Sequence, residues 1–181
     1  MRDKGIDYFE NSRRATYVQR AYAVDNPLGF AHYGAHCWGL TASEGPGPDV
    51  VVVDGIERRF FDYVARGVPY GPDDGTIAPW AVAASLPFAP EIVLPALDYC
   101  IHDIKLTEFN RYGFKASFNP TYPAGAGDDH GWVSPWHFGL NEGPTILMIE
   151  NYRSGLLWQL MRRCLPIVGG LRQAGFTGGW L

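Results

Sequence analysis

Four acidic residues at three places stand beside glycine or proline and close to expected helix starts: Glu44, the pair Asp73 and Asp74, and Glu142. If those helix starts converge in the fold, the carboxylates converge with them. Two carboxyl groups facing each other across a cleft can hydrolyse a glycosidic bond, one protonating the leaving oxygen while the other activates water or attacks. An inverting reaction needs them about 6.5–9.5 Å apart, with a water between. Glu142 lies next to the positive end of a helix dipole, which favours the ionised carboxylate that a base requires. Trp38, Trp132, Trp136 and Tyr33 offer flat faces on which sugar rings can rest. Residues 128–137, DDHGWVSPWH, form a loop dense in carboxylates, imidazoles and indoles that runs into the same helix start. Loops held by a rigid scaffold are where sites concentrate. Each acid can equally be a turn or cap residue, and loop aromatics often do no more than plug a core.

Other chemistries fit less well. His32 and His36 with Cys37, and His130 with His137, raise a metal site, but His32 to His36 crosses Gly34 in a loop and does not form an HExxH helix, so no metal and no cofactor is expected. No GxSxG elbow, P-loop or GxGxxG fingerprint occurs. A net charge of -4, without a basic stripe, argues against a nucleic-acid partner. Cys37, Cys100 and Cys164 are too scattered for a disulfide framework and read as small buried hydrophobes.

The elements that must position these groups are mainly helical. Residues 139–164 read as one long buried helix, with Pro144 at its first position, Gly143 as N-cap, and apolar residues almost all round it. Glu150 and Arg153 on it are spaced to pair. Residues 7–24 form an amphipathic helix with Tyr8, Ala15, Val18 and Tyr22 on its stripe and Asn26-Pro27 as its stop. Residues 28–48 are mostly loop, with a short helical turn at 38–43 presenting Glu44. Asp54-Gly55 marks a hairpin within 49–61. Pro79 opens a short helix to Leu86, and Pro90 a longer one to about Phe109. Residues 112–123 are irregular, and 167–174 form a terminal helix interrupted at Gly169-Gly170. The first helix begins so close to Met1 that preceding elements are expected to be missing. No stretch resembles a signal peptide or a membrane span.

Several ordered stretches carry a resemblance: Asp7 to Arg13 (DYFENSR), Trp38 to Ser43 (WGLTAS), Asp74 to Pro79 (DGTIAP), Trp132 to Trp136 (WVSPW) and Leu147 to Arg153 (LMIENYR). With these the chain resembles the C-terminal part of the glycoamylase-like family, which includes bacterial endo-β-1,2-glucanases and parts of cyclic β-1,2-glucan synthases. The resemblance implies an all-α fold, the C-terminal half of an (α/α)6 toroid, with a glucan-binding cavity near the inner helix starts. Residues 1–181 would then be the C-terminal part of a catalytic domain, whose partner is the N-terminal half of that domain or a second copy. Where the family often has Asp after Thr-Ala-Ser this chain has Glu44, and where it often has Asp-Gln before Gly-Pro it has Asn141 and Glu142. Asn141 cannot be a base, so Glu142 is the candidate.

The expectation is a glycoside hydrolase acting on β-glucan, with Glu142 as base and Glu44 or Asp74 as acid or sugar ligand. Tyr33, Trp38, Thr41, His130, Trp132 and Trp136 form the expected substrate-binding set. A transglycosylase of cyclic β-glucan metabolism and a glucan-binding fragment without catalysis are the alternatives. The resemblance also implies a periplasmic or secreted location.

Overall fold

A computed structural model of the chain describes residues 1–108, 111–123 and 131–181. After β1 (Arg2–Asp3) and β2 (Ile6–Asp7) come α1 (Tyr8–Asp25), β3 (Ala42–Ser43), β4 (Asp49–Val53), β5 (Ile56–Phe60) and β6 (Val64–Ala65). Then follow α2 (Pro79–Ala84), α3 (Pro90–His102), β7 (Phe118–Asn119), β8 (Trp132–Val133), α4 (Gly139–Ser154), α5 (Leu156–Arg163) and α6 (Leu165–Gln173). The strands pair antiparallel in twos: β1 with β2, β3 with β6, β4 with β5, and β7 with β8. The expected all-α fold, half of a helical toroid carrying one hairpin, is therefore overturned: the fold mixes helices with several small antiparallel sheets. The cause lies in the glycine- and proline-rich loops, which cannot continue a helix and satisfy their amides by pairing with one another.

Helix α1 starts where Asp7 accepts hydrogen bonds from the amides of Phe9 and Glu10, at 3.1 and 3.3 Å, and stops at left-handed Asn26 just before Pro27. Its buried residues are Thr16 and Ala23, with Tyr17 and Tyr22 partly covered; Tyr8, Ala15 and Val18 of the expected stripe face outward. Pro79 and Pro90 open α2 and α3 as expected, but α3 ends at His102, well before residue 109. The core gathers Val82 on α2 and Leu86 just after it, Val93, Ala96 and Cys100 on α3, Phe118 of β7, and Phe30, Trp38 and Ile77 from the loops. The hairpin of β4 and β5 turns through Asp54 and Gly55, both at positive φ (53° and 79°), as a two-residue turn of this kind requires. Residues 38–43 make no helical turn; Ala42 and Ser43 pair with Ala65 and Val64.

The expected single helix over 139–164 is two helices. Gly155 adopts the left-handed conformation (φ 69°), which ends α4, and the chain restarts as α5. The Asn151 carbonyl accepts from the Gly155 amide at 2.8 Å, while its side-chain oxygen accepts from the Trp158 amide at 3.1 Å, satisfying a donor at the start of α5. Helix α4 begins at Gly139, so Pro144 sits inside it and Glu142 lies in its first turn. Nor is the segment buried. Only Asn141 and Asn151 are buried on α4, whereas Leu140 is 81% and Ile146 65% exposed, and Leu156, Leu160 and Met161 of α5 also face outward. The Arg153–Glu150 pair forms at 3.0 Å. Helix α6 runs unbroken through Gly169 and Gly170. No helix among the described residues is long and apolar enough to cross a membrane.

Candidate active site

The loops that carry most of the matching stretches are laced together by backbone hydrogen bonds. Ile77 and Phe118 exchange both of their bonds, at 2.8 and 2.9 Å, and Phe118 also stands opposite Val133 in the β7–β8 pair. The Ser134 amide donates to the Ser117 carbonyl at 2.9 Å, and the Ala116 amide to Trp136 at 3.2 Å. Ala78 reaches back to the Gly39 carbonyl at 2.9 Å, and the Ser117 hydroxyl donates to the Glu44 carbonyl at 2.7 Å. Residues 39–44, 74–78, 116–119 and 132–136 thus form one cross-linked strip. It runs through His137 into the first turn of α4, a helix that packs against α2.

On this frame the candidate residues separate. Glu142 is partly exposed, and its Oε1 lies 3.7 Å from Nδ1 of His137, whose ring meets Tyr112 edge-on at 5.8 Å. Trp136 is 59% exposed at the far end of the strip, and Trp132 is half-buried in β8. Thr41 and Glu44 are partly exposed, with Glu44 anchored through its backbone to Ser117. His130 lies outside the described residues.

Asp74 is a different kind of residue. Its two oxygens accept from Nε and Nη2 of Arg66, both at 2.7 Å, and it also takes the amides of Phe61 at 2.8 Å and Thr76 at 3.1 Å. Both side chains of the pair are wholly buried. Burial alone would raise the Asp74 pKa, but the hydrogen bonds and charge of Arg66 outweigh it and hold the carboxyl below its ordinary value. Such a group can neither deliver a proton near neutral pH nor touch a ligand without dismantling the pair. Arg66 further donates to the carbonyls of Ser43, Phe61 and Asp62, tying β3 to the strip.

Asp73 also serves the fold, accepting from the hydroxyls of Tyr33 at 2.8 Å and Tyr22 at 3.0 Å and from the Gly75 amide at 3.0 Å. Burial, then the Asp73 charge, pushes the Tyr22 phenol up to about 12 and that of Tyr33 well above its usual value. Tyr33 and Trp38 are 9% and 3% exposed and belong to the core, so in this structure their rings are not open to a sugar. His32 and His36 flank Tyr99, with Nδ1 of His32 2.8 Å from its hydroxyl. Among the described residues no three His, Cys, Asp or Glu side chains gather as they would around a metal ion.

The sequence reading counts His137 in the loop that runs into this helix and weighs it beside His130 for metal, but does not pair it with Glu142; its place five residues ahead of Glu142 is the available signal. Nothing in the local sequence singled out Arg66 or Asn119, whose amide nitrogen donates to the Asp74 carbonyl at 2.9 Å and the Thr76 hydroxyl at 3.0 Å.

Known proteins share this arrangement of elements. A family model described as "Putative glucoamylase" matches residues 1–165. An exo β-1,2-glucooligosaccharide sophorohydrolase from Parabacteroides distasonis is 35% identical over 171 residues, 94% of this chain and 21% of that protein. The solved endo-β-1,2-glucanase of Chitinophaga pinensis superposes with a TM-score of 0.77 at 30% identity, covering 99% of this chain and 38% of that one. A structure titled a "putative glucoamylase" from Bacteroides uniformis gives 0.82 at 37% identity, with 99% and 38% covered. The chain therefore spans about a fifth of the curated relative's length and under two fifths of the solved ones. Matched by the family model over nearly its whole length, and similar throughout to enzymes that act on β-1,2-linked glucans, it belongs to the glycoamylase-like family.

Proposed function

We propose that this chain is the C-terminal part of a catalytic domain that hydrolyses β-1,2-glucan, with Glu142 as the base that activates water. The observation that carries the proposal is the setting of Glu142: a partly exposed carboxylate in the first turn of α4, directly after a strip that holds Glu44, Trp132 and Trp136 in one framework. A base must reach the water it activates, and Glu142 is partly exposed at the start of the helix. Trp136, and behind it Trp132, offer indole faces to a sugar ring, and Thr41 a hydroxyl. Glu44 serves as the acid or as a ligand of a sugar hydroxyl. Asp74, with both oxygens committed to Arg66, supports the loop and takes no part in proton transfer.

The outward apolar residues of α4 and α5, Leu140, Ile146, Leu147, Leu156, Leu160 and Met161, are covered in the complete domain by the rest of its length. The names of the relatives support the substrate class, and the share of their length that this chain spans supports its being part of a larger domain. The test is release of sophorose or longer β-1,2-gluco-oligosaccharides by the full-length protein, with Glu142→Gln beside the wild type. Turnover lost in that variant, with glucan still bound, is the expected result. Equal turnover in both would remove Glu142 from the role of base, and binding without turnover in the wild type would make the protein a glucan-binding module.

A further inference from the structure

The proposed role of Glu142 requires that its carboxylate be held in one orientation, and the structure offers a residue for that task. Nδ1 of His137 is buried from solvent and has no hydrogen-bond partner among the described residues, yet it faces Oε1 of Glu142 at 3.7 Å, just beyond hydrogen-bonding distance. A buried ring nitrogen left unpaired is costly, and the sign of that cost depends on the tautomer. With the proton on Nε2, a lone pair on Nδ1 would confront a carboxylate oxygen; with the proton on Nδ1, the same geometry is attractive and a small side-chain rotation closes it into a hydrogen bond. Hydrogen bonds of this kind are often long in the free protein and shorten when substrate is bound.

We propose that His137 is the positioning residue of Glu142, donating its Nδ1–H to Oε1 and thereby fixing how the carboxylate presents its second oxygen. The inference rests on the reading of Glu142 as the reacting carboxylate. Three observations besides the distance support it. The Tyr112 ring packs edge-on against the imidazole, with planes 71° apart, restraining its plane. His137 lies between Trp136, whose carbonyl is bonded to the strip, and Phe138, the cap residue of α4, so its backbone is held from both sides. Oε2 lies close to Gly113, an added Cβ on which would stand 3.9 Å from it, so space beside the carboxylate is limited there as well. A positioning role of this kind acts on the orientation of the reacting group and not on affinity for the sugar, so it belongs in kcat.

The first test is the tautomer of His137 in the full-length protein labelled with nitrogen-15 at histidine, read by long-range proton–nitrogen correlation with the imidazole neutral. An Nδ1–H form is expected, and an Nε2–H form overturns the proposal without any variant having to fold. The second is turnover of β-1,2-glucan by the full-length protein. Asparagine carries an amide N–H close to the place of Nδ1, whereas leucine fills the space without a donor. His137→Leu is expected to lower kcat about 10- to 100-fold with KM little changed, and His137→Asn to keep most of the wild-type rate. If Glu142→Gln abolishes turnover while the two His137 variants behave alike, the inference fails and the reading of Glu142 stands. If Glu142→Gln leaves turnover intact, the reading of Glu142 fails and the inference falls with it.

Discussion

Arg66 and Asp74 meet in a two-point ion pair, each N···O distance 2.7 Å, with both side chains shut off from solvent. A planar guanidinium matches the two oxygens of a carboxylate in this way. The remaining donors of Arg66 go to the carbonyls of Ser43, Phe61 and Asp62, so one side chain joins the loop before Glu44, the end of the hairpin and the segment that leads into α2. The pair thus determines where three loops lie.

Breaking it from one side should be severe. Arg66→Met leaves the Asp74 carboxylate buried without its counter-charge and is expected to cost about 3–5 kcal/mol, read from urea unfolding. Replacing both residues together, as Arg66→Met with Asp74→Leu, should recover part of that loss, since the desolvated charge is then gone.

The pH dependence of stability should have two limbs. The folded-state pKa of Asp74 is depressed, so its contribution is complete above the unfolded value of about 3.9 and disappears as pH falls through the folded value. Tyr22 is shifted the other way, up to about 12, and Tyr33 is raised as well, so their contribution is complete below the unfolded value of about 10 and is lost as pH rises through the folded values. Calorimetry from pH 3 to 11 should find a plateau near neutrality that falls at both ends. Tyr22→Phe should make the alkaline limb shallower, the rest of it being due to Tyr33, and leave the acid limb in place.

Asn151→Ala removes the acceptor of the Trp158 amide at the start of α5 and should cost about 1 kcal/mol, seen as a lower Tm. Hydrogen exchange should rise in α5, at Trp158 above all, more than in α2 or α3.

Trp136→Ala should separate binding from stability. At 59% exposure the indole contributes little to the core, so unfolding should change by no more than about 0.5 kcal/mol. If the ring carries a sugar, KM for β-1,2-gluco-oligosaccharides should rise about tenfold. An unchanged KM would take Trp136 out of the binding surface.

What the sequence made legible was local. The turn at Asp54-Gly55, the capping of α1 by Asp7 and its stop at Asn26-Pro27, and the helix starts at Pro79 and Pro90 each follow from the φ preference or hydrogen-bonding capacity of one or two residues. What escaped was non-local. The pairings of Ala42–Ser43 with Val64–Ala65 and of Phe118–Asn119 with Trp132–Val133 involve two residues a side, too few for an alternating pattern to register. The apolar run over 139–164 reads as a buried helix because hydrophobicity reports what can be covered, not what covers it, and a single left-handed Gly155 outweighs the helical preference of its neighbours. At the candidate site the sequence reading puts Glu142 just ahead of a helix opened by Pro144, whereas α4 begins at Gly139 and Glu142 lies within its first turn. Asp74 was found as a carboxylate, but its commitment to Arg66, eight residues earlier across an irregular loop, left no trace in the spacing.

The strip centred on Phe118 has a consequence for affinity. Because Ile77 and Phe118 satisfy each other's amides and carbonyls while the next strand is held on the other side, these loops are ordered before any ligand arrives. A glucan that binds across them does not have to freeze a mobile segment, so little of its interaction energy is spent on loop entropy. On the proposed reading, recognition by such a surface would be close to rigid and would discriminate by the angle at which one sugar leaves the next: a chain with a different linkage would meet a shape that does not move to accommodate it.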